Sequence, residues 1–300
     1  MLALGQFLEV LISGLLAGVL YSLVALGFVL IYKASGVFNF AQGSLVFFAA
    51  LTFVGLQEHG LSFGGALLAT LGVMIVAGLA IERLVLRPLV NQPPISLFMA
   101  TIGLSFFIEG LAQLMWGANV RGLDLGLQDE PIQFITDATG MNVSKFDLAA
   151  AGIAAVLVAG LAVFFSRTRI GRALRAVADD HQAALAVGIP LQHIWAIVWA
   201  VAGFVALVTG MLWGARNGVQ FALTFVALKA LPVLILGGFE SVQGAIVGGL
   251  IIGASEKVAE VFLGPYVGGG IEGWFPYVLA LAFLLVRPEG LFGEKIIRRI

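Results

Sequence analysis

Uncharged apolar runs, each close to the width of a bilayer, recur along this chain and are parted by short polar stretches. Residues 10–31 carry no charge, and 38–56, 61–81 and 95–116 follow, the last broken only by Glu109. Residues 148–165 and 194–215 are again uncharged, 221–239 hold Lys229 and Pro232, and 242–263 and 273–286 complete the series. A hydrocarbon core about 30 Å thick takes roughly 20 apolar residues of helix. The pattern therefore predicts an all-α polytopic membrane protein with about 8–10 transmembrane or half-membrane helices, several of them short or glycine-broken.

Basic residues orient these segments. Lys33, Arg83, Arg87, Arg167, Arg169, Arg172, Arg175, Arg287, Lys295, Arg298 and Arg299 fall on one side, and Arg121, Lys145 and Arg216 on the other. With the first group inside, the amino terminus is outside and the carboxyl terminus cytoplasmic. Residues 117–147, with Asp124, Asp129, Glu130 and Asp137, then form the long outer loop. Residues 1–300 read as one transmembrane permease domain that includes a cytoplasmic segment, 166–192.

Composition agrees with immersion in lipid. Apolar residues make up 60% of 300 positions and charged ones 11%, against about 25% charged in ordinary globular domains. With 39 glycines the chain is rich in a residue that membrane helices tolerate and use for close packing. There is no cysteine, which excludes disulfides and thiolate metal sites. A net charge of −1 gives no sign of a nucleic-acid partner. No cofactor or metal site is expected.

Enzyme motifs are sparse. No Gly-Lys dipeptide is present, so there is no phosphate-cradling P-loop, and no His-Glu-x-x-His zinc motif. Gly60-Leu61-Ser62-Phe63-Gly64 fits the nucleophile pattern, but His59, His181 and His193 sit at loops rather than on a neighbouring span. The match reads as accidental. The alternatives that remain are a transporter subunit, a secondary transporter or channel, and, least favoured, an intramembrane enzyme.

Ionisable groups inside spans are costly. Glu109 is expected to reach the outer interface, Glu256, Lys257 and Glu260 to pair along their own helix, and Lys229 to bind a carbonyl freed by Pro232 or to snorkel outward. The uncharged cluster Asn39, Gln42 and Ser44 better suits a pathway for a zwitterion or neutral solute. Its segment, 38–46, resembles 239–247 at a constant offset of 201 residues, with phenylalanine, glutamine, glycine and valine coinciding. Ser241 and Gln243 are the counterparts, and an internal repeat is a pointer to a transporter's binding region.

In the inner segment Ile170, Ala173, Leu174, Val177, Ala184 and Leu185 recur at helical spacing opposite arginines and aspartates. An amphipathic helix over 170–185 is expected, and Asp179 and Asp180 favour a protein groove over an anionic lipid surface as its partner.

Three stretches together resemble the membrane subunit of branched-chain amino-acid ABC transporters, closest to the H-type permease of the leucine–isoleucine–valine system. They are Gly36-Val37-Phe38-Asn39-Phe40-Ala41-Gln42-Gly43, Thr168 through Gly188-Ile189-Pro190, and Gly237-Gly238-Phe239 through Gly249, joined by the ending Arg287-Pro288-Glu289-Gly290-Leu291-Phe292-Gly293. The resemblance implies uptake of branched-chain or hydrophobic amino acids across a bacterial inner membrane, driven by ATP. It implies a second, M-type permease, two cytoplasmic ATP-binding subunits and an external solute-binding protein as partners, besides lipid. The inner helix becomes the element that couples to an ATPase, through Thr168, Gly171, Arg172, Leu174, Arg175, Val177, Asp179, Ala184 and Gly188. The family commonly has histidine and then an acidic residue where this chain has Gln42 and Ser44, which leaves urea, short amides or aromatic acids as alternative solutes.

Overall fold

The computed structural model describes residues 2–36, 38–89, 92–127, 129–179 and 181–293. Every apolar run of the sequence lies on helix. In order the elements are α1 (Leu2–Ser35), α2 (Gln42–Glu58), α3 (Phe63–Ile81), a π turn (Glu82–Leu86), α4 (Pro94–Trp116), α5 (Gln133–Thr139), α6 (Lys145–Arg167), α7 (Arg169–Asp179), α8 (His181–Ala186), α9 (Leu191–Asn217), α10 (Val226–Gly237), α11 (Val242–Phe262), α12 (Gly264–Val267) and α13 (Phe275–Val286). Five are apolar and long enough to cross a bilayer: residues 4–35, 63–89, 95–116, 145–167 and 191–217. The runs 221–237 and 242–267 form a pair bent by 112°, and α13 is a shorter apolar helix. The protein is a multi-pass all-α membrane protein.

These helices gather into two compact units. One comprises 27–125 and 160–227, and α2 is its centre. That helix has apolar or small residues on every face and is buried from Gln42 through Gly55, as a helix with no polar face must be. Its neighbours are α3, α4 and α9. Glycine sets how closely they approach. A methyl group on Gly210 of α9 would stand 2.6 Å from the Val46 carbonyl of α2, and one on Gly43 would stand 2.1 Å from the Thr224 carbonyl. Without a hydrophobic drive between helices in lipid, such close dispersion contact supplies much of the cohesion. At the edge of this unit the Trp195 indole donates to the Ala34 carbonyl over 2.9 Å, satisfying an orphan acceptor in the last turn of α1.

The π turn ends α3. Arg87 donates its amide to the Glu82 carbonyl, five residues back. The same spacing sets the Arg87 guanidinium beside the buried Glu82 carboxylate at 3.3 Å, so an acid with almost no exposure is paired.

The other unit comprises 1–26, 126–159 and 228–300. Its main seam joins α1 to α11 through small residues: a methyl on Gly14 would lie 2.7 Å from the Gly253 carbonyl, and one on Gly18 would lie 2.5 Å from that of Gly249. One turn further on, Ser22 donates to the carbonyls of Gly18 at 2.8 Å and Ile246 at 3.2 Å. The break between α10 and α11 is just as tight, since Gly237 and Gly244 meet backbone to backbone. The stretch after α13 returns to this break, where Leu291 and Phe292 donate their amides to the carbonyls of Leu236 and Gly237 at 2.8 and 3.1 Å. The sequence ending at Gly293 thus closes the carbonyl end of α10. In the outer loop Lys145 pairs with Glu130 at 3.3 Å, Ser144 donates to Asp129, and the amide of Ile132 reaches the Val143 carbonyl at 3.0 Å.

Candidate functional site

The two segments that echo one another have similar local structures, one in each unit. Each follows the end of a helix and a left-handed glycine, Gly36 (φ +69°) in one case and Gly238 (φ +102°) in the other, and each opens a new helix. The glycine after each glutamine is packed on backbone. The glutamines differ: Gln42 is buried and Gln243 exposed. Ser241 caps α11 by accepting the Gly244 amide at 2.9 Å.

Ahead of α2, Asn39 is buried and its Oδ1 accepts the Ala41 amide at 3.1 Å. Among the described residues its Nδ2 and both polar atoms of Gln42 have no hydrogen-bond partner. Gln42 lies against Gly27 and Val205, and a methyl on Gly27 would stand 2.5 Å from its Nε2. Buried orphan amides of this kind are costly and mark places where structure is kept for another purpose. Val37 lies outside the described residues.

Ser44 points elsewhere, since two residues along a helix turn a side chain to the far face. It faces α4, where Thr101, Ser105 and Glu109 repeat every four residues on one stripe. Thr101 ties the turn before α2 to α4: it accepts the Phe40 amide at 3.3 Å and donates to the carbonyls of Phe98 at 2.9 Å and Phe38 at 3.4 Å. Ser44 Oγ donates to Glu109 Oε1 at 2.7 Å, Ser105 Oγ reaches the same oxygen at 3.2 Å, and the two hydroxyls are 2.7 Å apart. Glu109 therefore turns inward to α2, contrary to the expectation that it reaches the interface. Trp116 holds the end of the helix, donating to Thr52 at 3.2 Å. The sequence reading passed over Ser105, although its place four residues before Glu109 in an uncharged run was a usable signal.

The other membrane charges also find distant partners instead of local ones. Lys229 donates to Glu256 Oε1 at 2.9 Å and to the Glu272 carbonyl at 2.9 Å, and Tyr21 donates to the same Glu256 oxygen at 3.0 Å. Lys257 pairs with Glu272 at 2.8 Å, while Glu260 accepts the amides of Gly270 and Glu272 at 2.8 and 2.9 Å. The carbonyl freed by Pro232, that of Leu228, is taken by the Tyr277 hydroxyl at 2.7 Å and not by Lys229. Loop 268–273 supplies backbone partners that helical spacing alone does not show.

The inner segment is two helices, α7 and α8, and not one, with Asp180 between them outside the described residues, as are the side chains of Asp179, His181 and Gln182. Thr168 caps α7 by accepting the Gly171 amide at 3.1 Å. Gly171 lies so close to α6 that a methyl there would stand 2.0 Å from the Phe165 carbonyl. Arg175 donates to that carbonyl at 2.7 Å and Arg172 to the Arg167 carbonyl at 3.4 Å, so these cations serve the negative end of α6. Leu174, Val177 and Ala184 are buried against the chain itself. The apolar stripe is thus already covered, and the face open to a partner is the opposite one, with Arg172, Leu185, Val187 and Gly188 exposed. Ser62, of the fortuitous nucleophile pattern, caps α3 by accepting the Gly65 amide at 3.3 Å.

The sequence has clear relatives. Residues 10–286 match the family described as branched-chain amino acid transport system / permease component. The high-affinity branched-chain amino acid transport system permease protein BraD of Pseudomonas aeruginosa is 30% identical over 98% of each chain. LivH of Salmonella typhimurium, of the same description, is 26% identical over 98% of each. The probable branched-chain amino acid transport permease protein LivH of Methanocaldococcus jannaschii is 27% identical over 90% of this chain and 88% of its own. A solved chain, from PsaBC of Streptococcus pneumoniae in complex with Fab, covers 95% of both chains at 18% identity and a TM-score of 0.48, a likeness too slight to carry an argument.

Proposed function

Since this chain belongs to the branched-chain amino acid transport permease family, we propose that it is the membrane-spanning subunit of an ABC importer that carries branched-chain and other hydrophobic amino acids inward. What carries the reading is the match across residues 10–286, with relatives that cover nearly the whole chain. The chain supplies the membrane path and takes its energy from two cytoplasmic ATP-binding subunits. A second permease completes the path, and an external solute-binding protein delivers the solute to the outer loop, where Phe134 stands exposed on α5. Basic residues place the amino terminus outside and the carboxyl terminus in the cytoplasm.

Asn39, Gln42 and Ser44, with Ser241 and Gln243 as counterparts, belong to the pathway in this reading. The coupling element is the α7–α8 segment, in which Thr168, Gly171, Arg172, Leu174, Arg175, Val177 and Ala184 brace the helices on the chain. The exposed face carries the contact with an ATP-binding subunit. Leu185 is 54% and Val187 76% exposed, the kind of apolar positions a partner would cover. The test is leucine uptake by proteoliposomes holding the full complex. Uptake should need ATP, and Val187→Asp should leave the chain in the membrane while cutting recovery of the ATP-binding subunits about tenfold, since a charge would be buried at the contact. Uptake that proceeds without ATP would make this a secondary transporter. Normal subunit recovery from Val187→Asp would move the coupling surface elsewhere.

A further inference from the structure

We infer that Ser44, Ser105 and Glu109 form a binding station for the ammonium group of the transported solute, a step that rests on the amino-acid reading above. Glu109 stands seven residues before the end of α4, about 10 Å along the helix axis, so it lies within the hydrocarbon rather than at its edge. A carboxylate at such depth needs a partner or a water-lined space. The other acid deep in a span, Glu256, has Lys229. Among the described residues no lysine, arginine or histidine pairs with Glu109. The positive charge it lacks must come from outside the chain.

Hydrogen counting leads to the same ligand. Ser44 Oγ, Ser105 Oγ and Glu109 Oε1 make three mutual contacts of 2.7, 2.7 and 3.2 Å, yet two hydroxyl hydrogens must serve all three. The cluster is one donor short and has lone pairs to spare. An ammonium brings three donors and the compensating charge together, and Glu109 and Ser105 are only half-buried, so it can reach them. Thr101, one turn before Ser105, is used up on the turn ahead of α2 and marks that end of the station.

Leucine uptake by proteoliposomes of the whole complex, supplied with loaded binding protein, tests the assignment. Glu109→Gln keeps the size and an acceptor for both serines while removing the charge. It should slow uptake about tenfold or more, the worth of a charge-assisted hydrogen bond, with subunit stoichiometry unchanged. Glu109→Asp, which restores the charge on a shorter stem, should recover most of the rate; a role in packing alone would not predict that order. Uptake by Glu109→Gln at the wild-type rate overturns the station and leaves the proposed function standing. Loss of the second permease from Glu109→Gln also overturns it, because the carboxylate would then serve a subunit contact. If the wild-type complex takes up no amino acid at all, the proposed function falls and takes the station with it.

Discussion

Replacing Gly249 with leucine is expected to cost about 3 kcal/mol, enough to lower the folded fraction roughly a hundredfold in a marginal membrane protein. The first side-chain carbon alone would lie 2.1 Å from Ser22 Oγ and 2.6 Å from the Gly18 carbonyl. The serine hydroxyl can swing away, but the carbonyl belongs to the α1 backbone and can yield only if the whole helix moves. Since the α1–α11 seam is made of Gly14, Gly18, Ser22, Gly249 and Gly253, a shift at one position loosens contact along three turns. Thermal unfolding of the detergent-solubilised protein measures the effect. Gly72→Leu on α3, where nothing lies within 4 Å of the added carbon, is the control and should change stability little. Equal losses from the two variants would mean that leucine harms this protein through some route other than the seam.

Lys229→Met should be nearly as harmful, for an electrostatic reason. It leaves Glu256, 1% exposed, with Tyr21 as its remaining donor among the described residues, and breaking a buried pair on one side typically costs about 3–5 kcal/mol. Adding Glu256→Gln should return most of the loss, because a neutral amide beside methionine carries no uncompensated charge. The coupling between the two sites in a double-mutant cycle is expected to be at least about 2 kcal/mol. If the double variant is as unstable as the two single losses added together, the pair is not coupled, and Lys229 acts through the Glu272 carbonyl instead.

The spans were legible in the sequence because each is a run of apolar residues long enough to stand out from its flanks, and the family because its motifs are spread over the whole length. The pairings were not. Glu256 has acids and a lysine at helical spacing on its own helix, and local pairing was the natural expectation, yet Lys229 comes from the preceding helix and Tyr21 from the first. Helical periodicity places residues on a face without saying which other helix meets it. For α7 the periodicity did identify the apolar stripe through Leu174 and Val177, but an amphipathic helix reads the same whether its own chain or a partner covers that stripe. At Ser44 the resemblance leads one to expect an acid, and the sequence shows a serine. A carboxylate is present there nonetheless, contributed by Glu109 from α4 across a contact no local pattern encodes.

The π turn that closes α3 has a bearing on insertions and deletions. Closing a hydrogen-bonded ring over five residues instead of four means that Glu82–Leu86 holds one more residue than an α-helix of the same rise. Deleting one residue there would rewind the segment as α-helix and turn all that follows by about 100°. Arg87 would then stand four residues from Glu82, still on the same face, so the ion pair would survive. What would change is the heading of the chain as it leaves the helix toward Pro88 and the start of α4, so a length difference at this point is absorbed by the connection and not by the buried acid.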